Sequence, residues 1–169
     1  MAIRTIISYP NPILRQAAEP ITVFDEELRT LVHDMAETMY DAPGVGLAAN
    51  QIGIARQVVV VDPSTPEEKK DYLTLINPVI SNGEGSVVGE EGCLSVLECY
   101  DKVKRFFSIH VAALDIDGNP LEFDAEGRLA RIIQHEVDHL RGVLFIDHLS
   151  SLKRLLYKKK LKKILQEQQ

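Results

Sequence analysis

Three residues in the second half of the chain have the types and spacing for metal chemistry. The stretch Gln134-His-Glu-Val-Asp-His-Leu140 contains His135, Glu136 and His139. On a helix, residues four apart lie one turn apart on one face, so both imidazoles can reach a single cation. Glu136 projects beside them, where a carboxylate can take a proton from water held by that cation. The competing reading is two half-buried histidines with satisfied hydrogen bonds and an unrelated glutamate.

A catalytic metal site takes three protein ligands and leaves one position for water. Downstream candidates for the third ligand are Asp147, His148 and Glu167. The strongest upstream candidate is Cys93, between Glu91-Gly92 and Leu94-Ser95. A thiolate is soft and suits iron(II) or zinc. Cys99 has no partner and does not read as a ligand. His33, His110 and His148 read as exposed or structural.

The elements that must position these groups follow from periodicity and punctuation. Asp124 is placed to cap a helix that starts near Gly127. Leu129, Ile132, Ile133, Glu136 and Leu140 then recur at helical spacing until Gly142. Earlier, Asp25 starts a helix whose apolar stripe is Leu28, Leu31, Val32, Met35 and Met39, ending before Pro43. Residues 3–9 read as a short strand or extended arm. Gly44-Val-Gly-Leu-Ala-Ala-Asn-Gln51 lacks the Gly-Lys-Ser/Thr of a phosphate loop; its glycines point to closely packed backbone. Val58–Val61 is a strand. Leu73–Ile80 is a strand interrupted at Asn77-Pro78, Asn82-Gly83 a turn, and Val87-Val88 a short strand. Val103–Leu114 contains at least one further strand. Asp115–Pro120 forms a hairpin turn, and Leu121–Phe123 pairs back. A last helix, about 150–166, is capped by Ser150 or Ser151, with Leu152, Leu155, Leu156, Leu161, Ile164 and Leu165 as its apolar positions. With no repeat or linker before that helix, the expected architecture is one α+β domain spanning 1–169.

At 169 residues the chain can bury a sizeable core, and 45% apolar with 26% charged residues is ordinary for a soluble globular protein. No apolar run approaches the roughly 20 residues needed to cross a bilayer. The N-terminus lacks a signal peptide's apolar region, so the expected location is cytoplasmic, with no membrane partner. Two cysteines do not make a disulfide framework. From Lys153 onward seven basic residues stand against one acidic, Glu167, a net of +6. The whole chain is −6, so the part before Lys153 sums to −12. A basic helical tail on an acidic body marks a site for an anionic partner, or simply a solvated helix face with its leucines packed inward.

Three segments in this order, Gly44–Gln51, Glu91-Gly-Cys-Leu-Ser95 and Gln134–His139, resemble the three signature motifs of peptide deformylase. The likeness runs from Tyr9-Pro-Asn-Pro12 to Gly142-Val-Leu-Phe145. It implies mixed, mostly antiparallel sheets around a central metal-binding helix, with a C-terminal helix. It implies removal of the formyl group from the N-terminal formylmethionine of nascent polypeptides, releasing formate, with a metal-bound water attacking the formyl carbonyl. By the same resemblance Cys93, His135 and His139 are the ligands of one divalent metal. That metal is Fe2+ in cells, with Zn2+, Ni2+ or Co2+ tolerated. Glu136 is the general base and then the acid, while Gln51 and the backbone N–H of Leu94 bind the oxyanion. Val45, Gly46 and Ile132, beside Leu94 and the His135 ring, are the substrate-binding positions. The basic tail would then meet ribosomal RNA near the exit tunnel.

This chain departs from the family pattern at four places. Leu97 stands where members often have proline, and Tyr100 where some have a substrate-contacting arginine. Arg128 and Arg131 stand where apolar pocket residues are common. Arg105 is placed to pair with Asp138 and orient the metal helix. Three other functions fit parts of the pattern: a zinc peptidase, a binding module with a structural metal, and a nucleic-acid-binding protein led by the tail.

Overall fold

Val58–Val61 is a run of four valines without alternation, and such a run fits a strand covered on both faces. In the computed structural model, which describes residues 2–168, all four are fully buried. The ends of the expected span, Met1 and Gln169, lie outside the described residues. The valines form β2 (Val58–Val61), second in an antiparallel sheet of order β1-β2-β3-β6-β7. Its other strands are β1 (Gly46–Ala48), β3 (Leu73–Glu84), β6 (Ser108–Leu114) and β7 (Pro120–Glu126).

Val58 and Val60 face α1 (Glu26–Asp41), in a core with Leu28, Leu31, Met35 and Met39. The apolar stripe read from the sequence is therefore the buried one, and the Asp25 carboxylate caps the helix by accepting from the Leu28 N–H at 3.0 Å. Val59 and Val61 face α2 (Gly127–Leu140), in a core with Ala130, Ile132, Ile133, Val137 and Leu140. The sheet thus lies between two helices. Burial of each such side chain stabilises the fold by about 1.5–3 kcal/mol.

A second, two-stranded sheet pairs β4 (Val87–Cys93) with β5 (Val96–Arg105). It packs on a third core with α3 (Ser151–Glu167) and the segment Leu144–Leu149. These antiparallel sheets and three helices make an α+β fold, as expected.

Several local expectations change. Asp124 does not cap α2: it lies in β7 opposite His110, and pairing of β7 with β6 runs on to Ser108↔Glu126. The ladder holds the chain extended to Glu126, so the helix starts abruptly at Gly127, whose φ of +59° glycine tolerates. Asn77-Pro78 does not break β3. It makes a bulge, with Asn77 at φ +52° and its amide bonded to both backbone groups of Ile21. Asn82-Gly83 is a second irregularity of the same strand, not a turn; a side chain at Gly83 would collide with the Phe106 ring. Residues 3–9 form an extended arm without a strand, and its amides at Ile7 and Tyr9 donate to the carbonyls of Gln51 and Ser95.

The last helix is capped by Ser150, but its buried stripe is Tyr157 and Leu161, with Leu165 packed beside them. Leu152, Leu155 and Leu156 are more than half exposed. The groove offered by Val96, Cys99 and Val103 fixes this phase, because Tyr157 reaches across it to the Leu97 carbonyl at 2.8 Å.

Candidate metal centre

Two separate bodies meet at the site. Helix α2 carries His135, Glu136 and His139 on the face turned from Ile133 and Val137. The β4–β5 hairpin carries Cys93, at the point where a bulge between Gly92 and Cys93 ends the regular ladder. Ligand atoms of Cys93, His135 and His139 all lie within 4.8 Å of one another. The Cys93 sulfur is 3.4 Å from Nε2 of His139, and the imidazole rings are 5.1 Å apart at a steep 68°. No other group of three such ligands exists among the described residues. Asp147 instead binds Arg15, and His148 binds Asp138. Cys99 is buried in the third core.

This donor set fits a divalent cation. Cys93 accepts from the Ser95 N–H at 3.5 Å and from the Gln51 amide at 3.6 Å, which suits a thiolate ligand. His135 Nδ1 is bound to Glu91 at 2.9 Å, which fixes the tautomer and leaves the other nitrogen for a metal. Burial, helped by the charges of His135 and Arg105, pushes His139 well below its ordinary range and so toward the neutral ligand form. Burial also lowers His135, but Glu136, Cys93 and Glu91 raise it well above that range. The anions that favour a proton there favour a divalent cation equally. Oε1 of Glu136 is buried without a hydrogen-bond partner, a costly arrangement unless a donor sits beside it. Water held by the cation is such a donor.

Glu136 is also tuned for proton transfer. Burial raises its carboxyl to about 7; the nearby negative charge of Glu91 adds, and His135 opposes. Near neutral pH such a group can both take and return a proton. Its place depends on Gly46, where a methyl group would sit 2.6 Å from Oε2 of Glu136. The glycine expected to meet substrate therefore also makes room for the carboxylate.

Gln51 is held from both ends. Its oxygen accepts from the Ala48 N–H at 2.9 Å and its amide donates to Ser95 at 3.1 Å, which aims the donor end at Cys93. The cleft over these groups has a volume of about 440 Å3. Val45, Gly46, Gln51, Leu94 and Ile132 line it together with Cys93, His135 and Glu136. Every site residue read from the sequence thus lines this cleft, except His139, which completes the metal cluster behind it. Tyr100 lies at the same cleft, its ring stacked where a side chain on Gly92 would go.

Glu91 also belongs to this site, bonded to His135, although nothing in the sequence marks it beyond its place in Glu91-Gly-Cys-Leu-Ser95. Burial raises this carboxyl, but Arg105 and His135 outweigh it and hold the group well below the usual carboxylate range. Arg105 forms the expected pair with Asp138 at 2.7 Å, and its other two donors grip Glu91 at 2.9 Å each. An acidic residue two places before a ligand cysteine is the only sequence signal, and no spacing rule singles it out.

A cysteine sulfur, two imidazoles and a buried carboxylate gathered at one site of an α+β fold define a class, the metal-dependent hydrolases. Comparison with known proteins narrows it. The sequence profile described as polypeptide deformylase matches residues 3–155. A peptide deformylase of Desulfotalea psychrophila is 56% identical over 164 residues, covering 96% of this chain and 97% of its own. The crystal structure of a peptide deformylase from Legionella pneumophila superposes with a TM-score of 0.91 at 46% identity, covering 99% of this chain and 98% of that one. A Synechococcus elongatus peptide deformylase, solved in complex with actinonin, gives 0.87 at 40% identity, with coverages of 95% and 86%. The chain belongs to the polypeptide deformylase family. It is a metal-dependent hydrolase that removes the N-formyl group from the formylmethionine of nascent polypeptides. That membership sets aside the peptidase and nucleic-acid readings.

Proposed function

We propose that Cys93, His135 and His139 hold one divalent cation per chain, Fe2+ in cells and replaceable by Zn2+, Ni2+ or Co2+. A single observation supports this: one sulfur and two imidazoles converge within 4.8 Å beside the partnerless, buried oxygen of Glu136. When bound, the metal lowers the pKa of water toward neutrality and polarises the formyl carbonyl. Glu136 takes the proton of the attacking water. The formyl C–N bond then breaks, and Glu136 delivers that proton to the departing methionine amine. Formate and a free N-terminus result. Gln51 and the Leu94 N–H donate to the oxygen as it gains negative charge, each worth perhaps ~3 kcal/mol. Val45 and Ile132 offer apolar walls to the methionine side chain, and Gly46 lets the peptide backbone approach.

Residues 1–169 act as one catalytic unit in this reading, working in the cytoplasm. No helix among the described residues is long and apolar enough to cross a membrane. The ribosome is the partner of α3 near the exit tunnel. The support is chemical: Lys158, Lys159, Lys162 and Lys163 are exposed on that helix, beside the exposed Leu152, Leu155 and Leu156.

The test is anaerobic purification, metal analysis and formate release from formyl-Met-Ala-Ser in one preparation. One metal per chain and formate production are expected. Glu136→Gln should keep the metal and lose at least 100-fold in kcat. Full activity in that variant would refute the role of Glu136.

A further inference from the structure

Cys93 and the two histidines reach the cluster from different bodies, so something must fix the hairpin against the helix. Cys93 ends β4 in the two-stranded sheet, while His135 and His139 ride on α2, packed on the five-stranded sheet. Arg131 lies one helical turn before His135, with its side chain mostly buried. Its guanidinium spans the hairpin. One nitrogen donates to the Glu91 carboxylate at 2.6 Å and to the Val103 carbonyl at 3.0 Å, and lies 3.5 Å from the Gly89 carbonyl. The other donates to the Val87 carbonyl at 2.7 Å. Three of these acceptors belong to β4 and one to β5. A planar fork with five donors can serve them together, whereas an ammonium cannot.

Gly89 is shaped to this contact. A methyl group there would lie 3.2 Å from the guanidinium carbon, tighter than ordinary contact allows. Glu91 then links the fork to the metal cluster, because its other oxygen accepts from His135. Arg105 closes the same circuit from the hairpin side, through Glu91 and Asp138.

We propose that Arg131 is a positioning residue: it clamps the β4–β5 hairpin to α2 and thereby sets the thiolate of Cys93 against His135 and His139. This rests on the reading of those three residues as metal ligands. Arg131 stands where the family often has an apolar pocket residue. Its donors are instead spent on the hairpin, and its stem remains as cleft wall.

Three variants test this: Arg131→Met, Arg131→Lys and Gly89→Ala. Arg131→Met should release its metal to a chelator at least tenfold faster than wild type. Amides of residues 87–105 should exchange faster with deuterium, while those of β2 keep their protection. In formate release, kcat should fall with KM within about twofold. Arg131→Lys should recover only part of each effect, and Gly89→Ala should shift the fork and reproduce them more weakly. Arg128→Met is the control for metal release, because among the described residues that guanidinium bonds only the Pro63 carbonyl, at 2.7 Å. Wild-type hairpin protection in Arg131→Met would overturn the clamp, whatever the metal does. Should that variant fail to fold, wild-type exchange and metal release in Gly89→Ala would overturn it instead. Faster hairpin exchange with no metal in any variant, wild type included, would support the clamp and refute the ligand assignment.

Discussion

Glu136 gains its chemistry from what surrounds it. A carboxyl in water is ionised at neutral pH and is a poor proton donor. Burial raises the Glu136 carboxyl to about 7, and a cation beside it would lower it again, so the group stays within reach of both taking and returning a proton. Gly46 holds that arrangement open by the absence of a side chain. Gly46→Ala should therefore push the carboxylate out of its place, enough to cost at least tenfold in kcat. Circular dichroism should show the fold retained. Steady-state formate release checks the first point, and an unchanged kcat would remove Gly46 from this role. His135 and His139 were legible as a candidate ligand pair at this scale because His-Glu-x-x-His has a fixed helical geometry, while Cys93 needed the family resemblance. Glu91 was not, because its role is to receive three partners from elsewhere: Arg105 from β5, and Arg131 and His135 from α2. A local sequence pattern carries no trace of such convergence.

At the scale of elements, the helices read most clearly. Helix α1 has a side-chain cap at Asp25 and an unbroken apolar stripe, and both formed as expected. The stop and start signals misled where a strand ladder overrode them. Asp124 has the type of a capping residue, but seven paired positions between β6 and β7 hold it extended. Asn77-Pro78 and Asn82-Gly83 resemble breaks, yet β3 absorbs both as irregularities because pairing with β6 resumes beyond each, at Val79↔Ala112 and Glu84↔Ser108. β5 was largely unread: Leu97-Glu-Cys-Tyr-Asp-Lys has no clean alternation, and its strand depends on pairing with β4. Helix α3 was placed correctly, but its phase was not. Leucines at 152, 155, 156 and 161 allow more than one buried face. The groove over Val96 and Val103 chose the face with Tyr157 and Leu161.

For the whole molecule, that choice of phase leaves a cationic and partly apolar face turned to solvent. The body before Lys153 carries −12 and the tail +6, so the molecule presents opposite signs to a polyanion. Reversing Lys158, Lys159, Lys162 and Lys163 to Glu should weaken ribosome binding by at least tenfold and flatten its salt dependence. Hydrolysis of a small formyl peptide should be unaffected. These side chains are exposed, so the third core stays covered, as it would not if α3 were deleted. Cosedimentation at two salt concentrations checks this, and unchanged binding would remove the proposed ribosome contact of α3.

The proposed chemistry requires a sulfur from the hairpin and two imidazoles from α2 to share one cation. X-ray absorption at the metal edge of the zinc-loaded protein reads that directly. One sulfur at about 2.3 Å and two nitrogens at about 2.0–2.1 Å, with a single light atom completing the shell, is the expected result. A shell without sulfur, or one that Cys93→Ser leaves unchanged, would contradict it.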